Sequence, residues 1–337
     1  MDAAVIEKFR NISEAVGNTP MLEISFLYKG EARKIYAKAE YYSLTGSIKD
    51  RVAFYIMKKA YHDGAISAGD LVVEATSGNT GIAFAAISRY LGHKVVIYMP
   101  DWMSSERINL IKSFGAEIRL VSREEGGFLG SIAMTEELAK KGGVFLPRQF
   151  SNEDNTQTHY LYTGEEISLQ LSKGFGKIAD AVVAGVGTGG TIMGIGRRLR
   201  LDNAACRVYP LEPECSPTLS TGYKVGSHRI QGISDEFIPS ILKLDECTGV
   251  VSVDDTDSII MSKMLSQKLG IGVGISSGAN FLGCVKVGNE IGADKVVVTT
   301  FADDNKKYLS TDYSNDWDVN EGKLSKDIEL IGVRTIR

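Results

Sequence analysis

The chain has 337 residues, of which 43% are hydrophobic and 24% charged, and its net charge is −4. That length suits about two domains or lobes of roughly 150 residues each. The even charge distribution gives no footprint for nucleic acid or an acidic membrane surface, no apolar run approaches the ~18 residues of a membrane span, and the amphipathic start MDAAVIEKFR does not read as a secretory signal.

The cysteines at 206, 215, 247 and 284 and the histidines at 62, 93, 159 and 228 are scattered. No CxxC pair or metal-ligand spacing occurs, so neither a metal centre nor a dithiol is predicted, and a reducing cytoplasm is expected. Each histidine reads as a surface or packing residue.

In chain order, a strand over 34–40 leads to the turn TGSIKDR (45–51) and a helix over 49–62. A strand over 70–75 runs into EATSGNTG (74–81) and a helix over 79–91. Strands over 94–100 and 117–122 alternate with helices over 104–114 and 131–141. The apolar run AVVAGVG (181–187) passes through GVGTGGT (185–191) into a helix over 189–201. A strand over 206–213, helices over 256–269 and 277–290, and a strand over 295–301 follow. The last strand ends in FADDNKKYL (301–309), and a polar tail closes on a short strand, IELIGVR. Such alternation predicts an α/β fold with parallel sheets covered on both faces.

Four of these turns sit where strands end or helices begin, the places where open α/β sheets bind ligands and offer free N–H groups to anions. Lys49 reads either as a solvated helix-start lysine or as an amine able to form a Schiff base with an aldehyde cofactor. Thr76, Ser77, Asn79 and Thr80 read either as a well-capped helix start or as a donor set for a carboxylate. The small residues of 185–191 can converge backbone N–H groups on a phosphate. Gly185, Gly187 and Gly190 also fit the dinucleotide pattern G-x-G-x-x-G, but the acidic partner expected about 20 residues on is misplaced. Asp303 and Asp304 read as loop solvation or as cofactor contacts.

Taken together, TGSIKDR, ATSGNTG, QF (149–150) with HYLYTGEEI (159–167), GTGGT and GISSGA (274–279) resemble the cysteine synthase and cystathionine β-synthase family of pyridoxal 5′-phosphate (PLP) enzymes. The resemblance runs in the family's order from GNTPM (17–21) to about residue 310. It implies fold type II, an α/β fold with two lobes, each a mostly parallel sheet covered by helices. A smaller mobile domain would span 45–152, and a larger PLP-binding domain would combine 1–44 with 153–337. Lys49 would be the Schiff-base lysine and would move the substrate Cα proton. Asn79 would face the cofactor's ring hydroxyl, and Gly187, Thr188, Gly189, Gly190 and Thr191 would bind its phosphate. Thr76, Ser77, Thr80 and Gln149 would grip the carboxylate of a small amino acid. A homodimer is implied.

Three departures stand out. Ser43-Leu44 replaces the family's Asn-Pro. In a gap-free match anchored at Tyr308, Asp304 falls where a serine is expected to meet the pyridine nitrogen, which a carboxylate would keep protonated. At Gly232–Pro239, Asp235 and Glu236 replace small neutral residues near the expected entrance. Asp235 either caps a helix or acts as a general base toward an incoming nucleophile. The resemblance, with these acids, implies β-elimination and β-replacement on L-cysteine through an aminoacrylate. Hydrogen sulfide would leave, giving serine or lanthionine, or pyruvate if the aminoacrylate escapes. The alternatives are an O-acetylserine sulfhydrylase and, in another class, an NAD-dependent dehydrogenase.

Overall fold

The computed structural model describes residues 2–233, 236–317 and 322–337. Among them the strands are β1 (Met21–Tyr28), β2 (Glu31–Ala39), β3 (Leu71–Ala75), β4 (Lys94–Pro100), β5 (Glu117–Val121), β6 (Val144–Phe145), β7 (Ala181–Gly185), β8 (Arg207–Pro213), β9 (Val251–Val253), β10 (Val297–Phe301) and β11 (Ile328–Ile336). They form two sheets. The larger has the order β11-β1-β2-β10-β7-β8-β9, the smaller β5-β4-β3-β6. The smaller sheet is parallel throughout, and so is the larger from β2 to β9. The antiparallel pairings described are those of β1 with β2 and with β11.

The continuous apolar runs have a physical cause. In β7, Ala181 and Val183 enter one core with Leu211 and Phe281, while Val182 and Ala184 enter another with Ile192 and Ile195. Successive side chains point to opposite faces, and helices cover both, so every position is apolar. The smaller sheet repeats the scheme with Val72 and Val73 on opposite faces.

β1 is absent from the sequence expectation. It is set by a two-residue hairpin in which Lys29 and Gly30 both take positive φ, 52° and 83°, the backbone of a type I′ turn. A second addition is the helical run from Asp154 to Phe175, wound with π turns at His159–Gly164 and Leu171–Phe175. The N-terminal helix Ala3–Ser13 buries Val5 and Phe9 with Val52, Ile56 and Met57, in the core of the smaller sheet.

The helix Lys49–Asp63 packs in that same core. Its start is tied to the larger sheet. The Ile48 N–H donates to Ala302 O at 2.9 Å, and Ser47 bridges Asp303. The carboxyl ends of β3, β7 and β10 therefore meet across one cleft.

Candidate active site

One cavity between the sheets is lined by Lys49, residues 76–80, Gln149, Gly187, Thr188, Gly189, Thr191, Arg107, Ser276 and Thr300. Most residues singled out from the sequence are thus brought together, although they come from distant parts of the chain.

Lys49 opens its helix directly after a constrained turn. The buried Asp50 carboxylate accepts from Thr45 N and Oγ1 at 2.8 and 2.5 Å, and Gly46 takes a φ of 78°. Arg51, two residues on, donates to both oxygens of the buried Glu40 and to both oxygens of Glu166. Glu166 also pairs with the buried Lys38 at 2.7 Å. This network fixes the first helical turn that carries Lys49.

The 76–80 loop is a helix start with donors facing the cavity. Thr76 Oγ1 accepts the Gly78 N–H at 3.1 Å, and Thr80 Oγ1 donates to Gln149 Oε1 at 2.6 Å. Gln149 is anchored by Ala75 O, 3.0 Å from its Nε2, and its N–H donates to the buried Glu74 at 3.3 Å. Ser77 lines both this cavity and a wider outer chamber. An anion at the helix start would meet Thr76, Ser77 and Thr80 beside Gln149.

On the opposite wall, Gly187–Thr191 opens the helix Gly190–Leu199. A side chain at 187 would press on Gly232 O, 2.5 Å from its Cβ, and Gly189 takes a φ of 87°. Asn155 donates to Thr188 Oγ1 at 2.9 Å. Gly190 lies just outside the cavity lining. Any Cβ there would collide with Asn155, so this glycine serves the close approach of helix and loop.

Two residues that sequence reasoning passed over belong to the site. His159, read as packing, lies on the π-turn segment with Nε2 3.3 Å from Thr191 Oγ1. Burial, together with the charges of Lys49 and Arg51, holds its pKa well below the ordinary value, so it supports the cradle as a neutral ring. Arg107 is almost fully buried, lines the cavity, donates to Ser104 and Gln231, and stacks 4.7 Å from the Tyr308 ring centroid. A lone arginine in an amphipathic helix carries no sequence signal of such a role.

Asp304, expected to meet the cofactor, is not among the residues that line the cavity. Its carboxylate accepts the Lys306 N–H at 3.1 Å and lies beside Gly46 and Lys307. Ser276, at the start of the helix Ile275–Ile291, and Thr300, in β10, are hydroxyl residues that line the cavity. Asp303 is the buried neighbour, accepting from Asn79 Nδ2 at 2.8 Å and from the Tyr308 hydroxyl at 2.7 Å. Asp235 lies outside the described residues. Its neighbour Glu236 lines the outer chamber and pairs with Lys224 at 3.1 Å.

These groups fit PLP. A glycine cradle at a helix start suits its phosphate, Lys49 is an amine on the facing wall, and Ser276 offers a neutral partner for a ring nitrogen. Asn79 Oδ1 is buried with no hydrogen-bond partner, and its amide has one N–H left for a ring oxygen.

Comparison with known proteins agrees. A cysteine synthase from Staphylococcus aureus is 39% identical over 301 residues, covering 89% of this chain and 96% of that protein. A hydrogen sulfide-producing enzyme from Fusobacterium nucleatum superimposes with a TM-score of 0.95 at 57% identity, covering 98% of this chain and 99% of that one. That enzyme has also been solved as an aspartate-to-asparagine variant with an α-aminoacrylate intermediate. A cysteine synthase from Entamoeba histolytica superimposes with a TM-score of 0.84 at 34% identity, covering 94% of both chains. The nicotinamide reading of Gly185, Gly187 and Gly190 is thereby set aside in favour of PLP. The model of the pyridoxal-phosphate dependent enzyme family matches residues 12–303, and this chain belongs to that family as a PLP-dependent enzyme of fold type II.

Proposed function

We propose that the protein carries out β-elimination and β-replacement on L-cysteine, releasing hydrogen sulfide. The observation that carries this reading is the shared cavity of Lys49, the 76–80 helix start with Gln149, and the 187–191 cradle. The likeness to the hydrogen sulfide-producing Fusobacterium enzyme supports it.

PLP, when bound, supplies an aldehyde for the Lys49 amine and an electron sink for charge developing at the substrate Cα. Gly187, Thr188, Gly189 and Thr191 would hold its phosphate, and Gly190 would shape the cradle. Thr76, Ser77, Thr80 and Gln149 would grip the substrate carboxylate. A carboxylate held there leaves Cα beside Lys49 Nζ, which takes the Cα proton. Positioning of this kind supplies much of the rate. The sulfur leaves from Cβ as hydrogen sulfide once protonated. Asp235 would then act as general base on the acceptor, and Asp235 with Glu236 would disfavour the entry of anionic hydrosulfide.

With water as acceptor, cysteine and water give serine and hydrogen sulfide. With a second cysteine, two cysteines give lanthionine and hydrogen sulfide. If no acceptor adds, hydrolysis yields pyruvate, ammonia and hydrogen sulfide. The test is cysteine alone, with sulfide measured and products identified by mass spectrometry. Sulfide with serine or lanthionine is expected, and Lys49→Ala should abolish both turnover and visible cofactor absorbance. Cysteine formation from O-acetylserine and sulfide, with no sulfide from cysteine, would instead establish the O-acetylserine sulfhydrylase reading that the cysteine synthase relatives favour.

A further inference from the structure

We propose that Asp303 is a positioning residue that locks the Asn79 carboxamide in one orientation and so presents a donor to the cofactor's ring oxygen. The inference rests on the reading of Asn79 as the residue facing that oxygen.

Asp303 is fully buried. Among the described residues no lysine, arginine or histidine forms an ion pair with it. One oxygen, Oδ2, accepts from Asn79 Nδ2 at 2.8 Å and from the Tyr308 hydroxyl at 2.7 Å. The other, Oδ1, is buried with no hydrogen-bond partner. A buried carboxylate served only by two neutral donors is costly, and packing alone gives no reason to keep it.

The fold nevertheless makes room for it. A Cβ at Gly274 would collide with Asp303 Oδ1 and press on Tyr308. The Gly274 N–H donates to Asp303 O at 3.0 Å, and Ser47, in the turn before Lys49, bridges the same residue. Asp303 therefore joins the turn before Lys49, the helix start beside Ser276, and the Asn79 loop from the smaller sheet.

The consequence for Asn79 follows from its donor inventory. An amide has two N–H donors and one acceptor oxygen. With one N–H held by Asp303, the group cannot flip, and the second N–H stays available to a ring oxygen. Without Asp303 the amide can rotate and present Oδ1, whose lone pairs would repel an anionic ring oxygen.

The test uses the holoenzyme without substrate, reading the visible absorbance of bound PLP and its dissociation constant. Asn79→Ala should move part of the visible band toward the near ultraviolet. Asp303→Ala should copy that shift and weaken PLP by about five- to tenfold, the loss of roughly one hydrogen bond. Asp303→Asn keeps an acceptor for the Asn79 amide and should restore most of the band. Adding Asp303→Ala to Asn79→Ala should change nothing further, because one residue acts through the other. Tyr308→Phe removes the other donor and should leave the band in place, and it provides a test if Asp303→Ala does not fold. An equal shift from Asp303→Ala in the Asn79→Ala background, or from Tyr308→Phe, overturns the proposal. An unchanged band in Asn79→Ala overturns the reading of Asn79 itself.

Discussion

Glu74 shows how one buried acid can bear on substrate grip. It is the penultimate residue of β3, just before the 76–80 loop, and its carboxyl accepts the backbone N–H of Ala75 at 2.9 Å and that of Gln149 at 3.3 Å. Desolvation pushes its pKa from 4.5 up to about 8, against the opposing hydrogen bonds from the Ala75 and Gln149 backbone and the charge of Arg148. The raised value means the folded state binds this proton more tightly than the unfolded chain does. Its contribution to stability is complete below pH 4.5 and is lost as pH rises through about 8. Glu74→Gln keeps an oxygen for the Gln149 N–H and cannot ionise. Relative to wild type, the variant should therefore gain thermal stability progressively between about pH 5 and 8. Melting curves across that range check this, and a pH-independent difference between the two proteins would contradict it. The sequence singles out residues of the shared cavity where the chemistry is local. Lys49, Asn79 and Thr188 lie in turns whose composition already implies a ligand. The sequence says less where neighbours come from elsewhere. Asp303 and Asp304 are adjacent acids, and only the pairing of Ser47 with Asp303 and of Val273 with Asp304 determines which one faces Asn79. Arg107 reaches the cavity, and His159 reaches Thr191 behind it, through tertiary packing that no local pattern encodes.

At the level of elements, the helix Lys49–Asp63 belongs to one sheet by packing and to the other by charge. Val52, Ile56 and Met57 bury in the smaller sheet's core. Arg51, on the same helix, reaches Glu40 beyond the end of β2 and Glu166 on the helical run after residue 154. A buried pair is strongly destabilising when halved, because the remaining charge keeps its desolvation cost. Arg51→Ala should cost about 3–5 kcal/mol and loosen the turn that presents Lys49, weakening PLP binding along with stability. Arg51→Met combined with Glu40→Leu removes both members of the closest pair and should cost less than the single change. Denaturant titration of both variants provides the comparison, and equal losses would show that the pairing itself matters little. The strands around this helix were legible because they are continuous apolar runs, and β7 and β10 fall where such runs occur. β1 was less so. Its identity depends on a hairpin through Lys29 and Gly30 and on pairing with β11 from the far end of the chain. The π-turn segment was invisible for a related reason, since its winding is decided by packing against the helix Gly190–Leu199, where Gly194 admits the backbone of Thr156.

At the scale of the whole molecule, the two sheets face each other across the cleft that holds the candidate site. The domain division expected from the sequence, 45–152 against the rest, is a proposal about motion, and the N-terminal helix packed on the smaller core would travel with that lobe. Polar contacts from the helix Ser105–Ser113 and its flank cross the cleft. Glu106, on the helix Ser105–Ser113, accepts from both the N–H and the hydroxyl of Ser310 at 2.6 Å. Ser104 donates to Lys307 O at 3.4 Å, and Arg107 stacks on Tyr308. Glu106 is only half-buried and does not line the cavity, so its removal should change the balance of open and closed forms without touching the chemistry. If closure completes the grip on the substrate carboxylate, a lower closed population reduces apparent affinity in proportion. Glu106→Ala should raise KM for cysteine about fivefold, the equivalent of ~1 kcal/mol for a partly exposed charged hydrogen bond. The spectrum of bound PLP should stay as in wild type, because Lys49, Asn79 and the 187–191 cradle keep their contacts. Small-angle scattering should show a larger radius for the variant in the presence of substrate. Unchanged KM with unchanged scattering would show that Glu106 and Ser310 form a static contact. Opening would then also have to break Asn79–Asp303 and Arg107–Tyr308, deep in the cleft at the candidate site.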